Sequence, residues 1–223
     1  MTAIRKETIQ FLRAVRKNNN RAWFHEHKDR YEEAHANMKA FAEAWETEMS
    51  KWDSIEKRKL FRIYRDVRFS KDKTPYNSHW SISLTRTKPY LRGGYFMKIN
   101  QEGGYLASGF WKPAPGDMNL IRANIDRDAK SMRKAISNKK LVSVWGELTG
   151  ETVKTSPKGY NKDHPDIDLL RHKQFIFSKM YTVKEILDPD FLKEAVRCYK
   201  ALKPFLHHMS EILSYDLNGE SLY

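Results

Sequence analysis

Apolar positions near the N-terminus repeat at helical spacing. Thr8, Ile9, Phe11, Leu12 and Val15 fall on one side of a short amphipathic helix, ended by the triple asparagine at 18–20. Asn20 can cap a following helix. There Phe24, Tyr31, Met38, Trp45 and Trp52 recur every seven residues, with His27, His35, Ala42 and Met49 between them. The spacing predicts one long helix with a single apolar stripe, about 45 Å long at 1.5 Å per residue. From residue 60 the period drops to two. Strands are expected at 60–69, 79–86, 94–100 and 104–112, separated by turn-like Lys73-Thr74-Pro75-Tyr76-Asn77, Lys88-Pro89, Gly93-Gly94 and Glu102-Gly103-Gly104. Short connections favour an antiparallel meander. Trp80, Ile82 and Leu84 share one face of the second strand and Ser81, Ser83 and Thr85 the other, so one face is covered and one is more polar.

Pro113 and Pro115 end this run, and Asp117 is expected to cap a helix carrying Leu120, Ile121 and Ile125. A further helix with Leu141, Val144, Trp145 and Leu148 should stop at Gly150. Phe175, Phe177 and Met180 suggest one more strand. Asp188-Pro189 opens a last helix, which Pro204 divides. The expected fold is one α+β domain over residues 1–223. Its antiparallel sheet is a meander of about four strands plus one more, packed against a long N-terminal helix and C-terminal helices.

At 40% hydrophobic residues the 223-residue chain can bury a sizeable core, which excludes a disordered protein. No stretch approaches the roughly 20 apolar residues that cross a bilayer, and Met1 to Glu7 lack an apolar signal core. No membrane partner is expected. The single cysteine, Cys198, cannot form an internal disulfide, and its apolar helical setting makes a buried hydrophobe of it. A reducing cytoplasm is therefore the expected location. The net charge of +13 changes the picture more, because it is concentrated. Residues 57–92 hold eleven Lys or Arg against two acids, Asp66 and Asp72. Such a potential attracts phosphates, carboxylates or nucleic acid.

The centre of that charge is the run Arg62 to Tyr76. Read as a strand, it turns Phe61, Ile63, Val67 and Phe69 toward the core together with Arg65, and Arg62, Tyr64, Asp66 and Arg68 the other way. An arginine among apolar neighbours needs a carboxylate or several carbonyls, so Arg65 is expected in a structural ion pair. On the other face Asp66 can orient Arg62 and Arg68 or act as a catalytic base. The loop Ser70 to Tyr76 adds Lys73 and the Tyr76 phenol. Arg62, Arg68, Lys73 and Tyr76 are the candidate anion ligands, since arginine offers a planar fork and lysine a point charge. A P-loop is excluded, because the segment lacks its glycines and its Gly-Lys-Ser/Thr ending. No histidine has metal-ligand spacing with a partner, so neither a metal nor a cofactor is expected. No nucleophile-elbow motif supports Ser-His-Asp chemistry.

The pattern R-x-x-R-D-x-R-F-x-x-x-K-x-x-Y, filled by Arg62, Arg65, Asp66, Arg68, Phe69, Lys73 and Tyr76, resembles the signature of an uncharacterised bacterial family, the domain of unknown function 2461. Asn18 to Phe24 resembles its entry to the long helix. Gly109 to Pro113 with Leu120-Ile121-Arg122 resembles its middle, and Gly159-Tyr160, His164-Pro165 and Leu169 to Lys173 its C-terminal block. The position after the final tyrosine, often lysine in the family, is Asn77 here. The resemblance implies a fold and a single domain, and no reaction. Three functional readings stay open. The first is recognition of a phosphorylated or carboxylated small molecule by the Arg/Lys/Asp cluster, as an enzyme or as a binding domain. The second, ranked lower, is a nucleic-acid binder without sequence preference. The third is a purely structural ion network.

Overall fold

The structure, a computed structural model, describes residues 2–223. Three helices open the chain: α1 (Lys6–Lys17), α2 (Arg21–Glu26) and α3 (Lys28–Ser50). Four strands follow: β1 (Ile55–Leu60), β2 (His79–Arg86), β3 (Gly94–Asn100) and β4 (Gly103–Phe110). After α4 (Pro115–Arg127), α5 (Lys130–Ile136), α6 (Lys139–Trp145) and α7 (Ile167–Leu170) comes β5 (Phe175–Thr182). The chain then runs through α8 (Val183–Ile186), α9 (Phe191–Ala201) and α10 (Lys203–Ile212). The strands form an antiparallel sheet in the order β1-β2-β3-β4-β5, so the fold is α+β with the expected meander. Contacts group the chain into two units: Met1–Leu84 with Phe96–Leu106 and Lys179–Val196, and Thr85–Tyr95 with Ala107–Ser178 and Arg197–Tyr223. Among the described residues, no helix is long and apolar enough to cross a membrane.

In the first unit the two N-terminal stripes meet the sheet. Ile9, Phe11, Leu12 and Val15 of α1 and Met38, Phe41, Trp45 and Met49 of α3 are buried. Phe11 packs on Trp80 of β2 with ring centroids 5.8 Å apart, and Phe41 stacks on Phe191 at 6.1 Å. The expected single long helix is broken at His27, whose backbone (φ −119°, ψ 30°) leaves the helical region. The His27 ring stacks on Trp23 at 4.3 Å, and its Nδ1 reaches the Trp23 carbonyl at 2.8 Å. That carbonyl also accepts from the His27 amide at 3.2 Å. The same amide is shared with the Phe24 carbonyl at 3.3 Å, the three-centre arrangement common at a helix end. Asn20 caps α2 by accepting from the Trp23 amide at 2.9 Å, as expected.

The expected strand at 60–69 is corrected: the first strand is Ile55–Leu60, and residues 61–78 form a long connection to β2. The strand carries Lys57, Arg58 and Lys59 because it is a sheet edge, where charge is tolerated and discourages edge-to-edge pairing. Arg58 turns to α3, donating to Glu46 at 2.8 Å and lying 3.6 Å from Glu43. By alternation Lys57 and Lys59 face the other way. At the opposite edge β4 lies against β5 through glycines. A Cβ on Gly103 (φ +143°) would come within 2.1 Å of the Tyr181 carbonyl oxygen.

In the second unit Phe110 and Phe177 pack edge-on against Phe205, at 6.3 and 5.1 Å. Tyr199 meets Tyr95 and Trp145, and the Trp145 indole donates to the Cys198 carbonyl at 2.8 Å. Cys198 itself is fully buried. Arg86, at 0% exposure, donates to the Arg92 carbonyl at 2.9 Å, the Leu206 carbonyl at 3.3 Å and Ser210 Oγ at 3.1 Å. Arg92 in turn pairs with Asp117. Asp117 is therefore not the cap expected of it. Ala114 holds that position with Pro115 behind it, and Asp117 stands in the first turn of α4. Helix α6 stops at Gly146 (φ 75°), earlier than the expected Gly150.

Candidate functional site

The connection 61–78 begins and ends as a narrow ladder. The Phe61 amide donates to the Ser81 carbonyl at 2.9 Å, Asn77 to Ile63 at 2.7 Å and Arg65 to Pro75 at 2.9 Å. Tyr64 and Tyr76 form an antiparallel bridge. Beyond it the chain leaves regular structure, and the side chains take over the hydrogen bonds that backbone must find. Arg65 is the hub. Its Nη1 meets Asp72 Oδ2 at 2.5 Å and the Thr74 carbonyl at 3.0 Å, and donates also to Thr74 Oγ1. Asp72 Oδ1 accepts from the Thr74 amide at 2.9 Å and hydroxyl at 2.8 Å. These two bonds, with the guanidinium beside them, hold the Asp72 carboxyl down at about 2. Lys73 closes the other side, Nζ donating to the Val67 carbonyl at 3.0 Å and the Arg68 carbonyl at 3.4 Å.

The two-faced strand expected for this run is thereby corrected. Ile63 is buried, but Phe69 is 96% exposed at the tip of the connection. The Arg65 side chain is 21% exposed, and its hydrogen-bond partners are loop groups within nine residues. Asp66 binds Arg68 with both oxygens, from Nε at 3.0 Å and Nη2 at 2.7 Å. That pair lowers the Asp66 pKa, with a smaller contribution from Arg62. A carboxylate so occupied is a weak base and is better suited to orienting its neighbours. Tyr76 is 8% exposed, and its ring stacks on Phe24 at 4.0 Å. Burial raises its phenol pKa.

Beside this connection the more polar sheet face opens into a cleft of about 910 Å³. Strand alternation builds it. While Trp80 and Met97 point into the core, His79 and Ser81 of β2 and Phe96 of β3 point into the cleft, joined by Lys59 of β1 and by Phe61. The connection supplies the wall with Arg62, Tyr64, Arg65 and Asp66, and Asn77 completes it. Of the candidates read from the sequence, Arg62, Arg65 and Asp66 line the cleft, whereas Arg68, Lys73 and Tyr76 do not. Arg62 is exposed and makes no hydrogen bond or ion pair among the described residues. Three cations thus face one acid. His79 is half-buried near Lys98, and both effects, burial the larger, drop its pKa to about 4. It is a neutral imidazole at pH 7, with one nitrogen donating and one accepting.

Sequence reasoning missed Lys59, His79 and Phe96. The signal for His79 was present: it continues the Ser81, Ser83, Thr85 alternation by one step. No group of three or more His, Cys, Asp or Glu among the described residues could hold a metal ion.

Fold and site together define an α+β protein with a cationic, aromatic-walled cleft on the open face of its sheet. The chain belongs to the family of conserved hypothetical proteins DUF2461, whose model matches residues 7–208. No curated protein and no solved structure matched it.

Proposed function

We propose that the cleft recognises a phosphorylated or carboxylated small molecule, with Arg62 as the principal anion ligand and Lys59 beside it. The observation that carries this reading is the contrast among the arginines. Arg65 and Arg68 have carboxylate partners in Asp72 and Asp66, while Arg62 lines a concave cleft without one. A guanidinium held at a cleft wall offers a planar fork to an oxyanion. Arg65 and Lys73 shape the connection that presents it. Asp66 keeps Arg68 oriented rather than serving as a base, so the reading is one of binding. The same proposal puts the protein in a reducing cytoplasm, on the strength of its single, buried cysteine.

Calorimetric titration with inorganic phosphate and with citrate tests it. At least one should bind, and Arg62→Ala should weaken it roughly ten- to hundredfold, as expected for a lost charge-assisted hydrogen bond. An Arg62→Ala variant that binds as tightly as the wild type would remove the reading.

The tip favours a second reading. Phe69 is 96% exposed, the Arg68 guanidinium lies 6.0 Å from its ring centroid, and Lys71 beside it is exposed. An aromatic ring among cations suits stacking on bases of a single strand. Affinity for a short oligonucleotide would then fall steeply with salt and depend on Phe69.

A further inference from the structure

We propose that the ligand of the cleft is a nucleoside monophosphate: a phosphate on Arg62 and Lys59, with its base against Phe96. The inference rests on the anion reading above and names its ligand class. An inorganic anion would need only the cationic wall. The cleft has more than that. Phe61 and Phe96 are only partly buried on a sheet face that also carries His79, Ser81, Ser83 and Lys98. Large aromatic rings left facing a polar cleft offer flat apolar surface to a planar partner. Phe96 is backed by Tyr105, centroids 5.8 Å apart, and the Lys59 ammonium stands 4.4 Å from the Phe61 centroid.

The third part is the polar edge. Asn77, Ser81 and His79 also line the cleft. Asn77 presents a carbonyl and an amide, Ser81 a hydroxyl, and His79 a neutral ring. Donors and acceptors in this mixture match the edge of a base, which displays both. A carboxylate, which only accepts, would use the donors alone and leave the acceptors unmatched. The volume, about 910 Å³, lies within the range of small-molecule sites, roughly 300–1,000 Å³.

The test is calorimetry on the full chain with inorganic phosphate, ribose 5-phosphate, the four ribonucleoside 5′-monophosphates and an eight-residue single-stranded oligonucleotide. At least one monophosphate should bind roughly 5- to 150-fold tighter than ribose 5-phosphate, the factor that base–aromatic stacking gives. Phe96→Ala should reduce that advantage to near unity. Phe96→Leu, which keeps the apolar volume, should reduce it as well and guards against a folding defect in the alanine variant. Ribose 5-phosphate binding as tightly as every nucleotide would overturn the inference and leave the anion reading standing. No binding by any phosphate compound would overturn both. Tight binding of the oligonucleotide with none of the monophosphates would overturn it in favour of a nucleic-acid strand.

Discussion

Arg65 in the β1–β2 connection and Arg86 in the second unit are both arginines that donate to carbonyl and hydroxyl oxygens, and they do opposite things. The Arg65 partners Asp72 and Thr74 are seven and nine residues away. Those of Arg86 on α10 are 120 and 124 residues away, and Arg86 is wholly buried where Arg65 is not. A short-range network closes a loop, which costs little entropy and fixes only local shape. A long-range one ties distant segments and leaves stranded polar groups when it is cut. The sequence separation of the partners, more than the number of hydrogen bonds, says what a substitution will break.

The contrast is easiest to break at its strong end. Arg86→Ala should lower unfolding free energy by about 3–5 kcal/mol in urea denaturation, through a cavity and unpaired carbonyls. A loss under about 1 kcal/mol would mean that the buried guanidinium ties nothing together. Arg65→Ala should cost only about 1–2 kcal/mol, since its partners reach water. Its main effect should be faster proteolytic cleavage within residues 66–74, and a cost equal to that of Arg86→Ala would erase the distinction.

Acid titration sharpens the comparison further. The Asp72 carboxyl is depressed from 3.8 to about 2 in the folded chain. Its contribution is therefore present above the unfolded value and is lost as pH falls through the folded one. The stability difference between wild type and Asp72→Asn should be constant above pH 5 and vanish as pH falls from 3.8 to about 2. A difference that instead persists unchanged at the acid end would remove the carboxylate from the loop's stability. The smallest effect belongs to Arg62, whose one charge interaction, with the exposed Asp66, is minor. Arg62→Ala should change stability by less than about 0.5 kcal/mol, and a larger loss would place it in the loop network with Arg65.

Much of this architecture was legible in the residues. The alternation at 79–86 and 94–100 gave β2 and β3 their observed limits, because both strands have one face packed by apolar side chains and one not. Helix α1 and the Asn20 cap were legible for a similar reason: local chemistry decides them. The first strand was misread because Phe61, Ile63, Val67 and Phe69 alternate with charges in the sequence, although only Ile63 is fully buried. Here the loop's own hydrogen bonds outweigh the period. The break at His27 was invisible because the heptad continues through it, and only the backbone at His27 reveals it.

The site was legible in part, for a physical reason. Arg62, Arg65 and Asp66 lie in one run, so sequence proximity found them. Lys59, His79 and Phe96 reach the cleft through sheet register, which a single sequence does not display. Lys73 and Tyr76 looked like free ligands because their acceptor and stacking partner are backbone carbonyls and a helix ring, Phe24.

Cys198 is fully buried and is the only thiol in the chain. Thiol chemistry needs access, so the folded protein should be silent to maleimides and iodoacetamides. A cysteine installed by Phe69→Cys, at the most exposed aromatic position, would accept exactly one label while the fold persists and two once it opens. Label stoichiometry would then count unfolded molecules, and a fluorophore at that tip would report the motion of the connection in emission rather than in affinity.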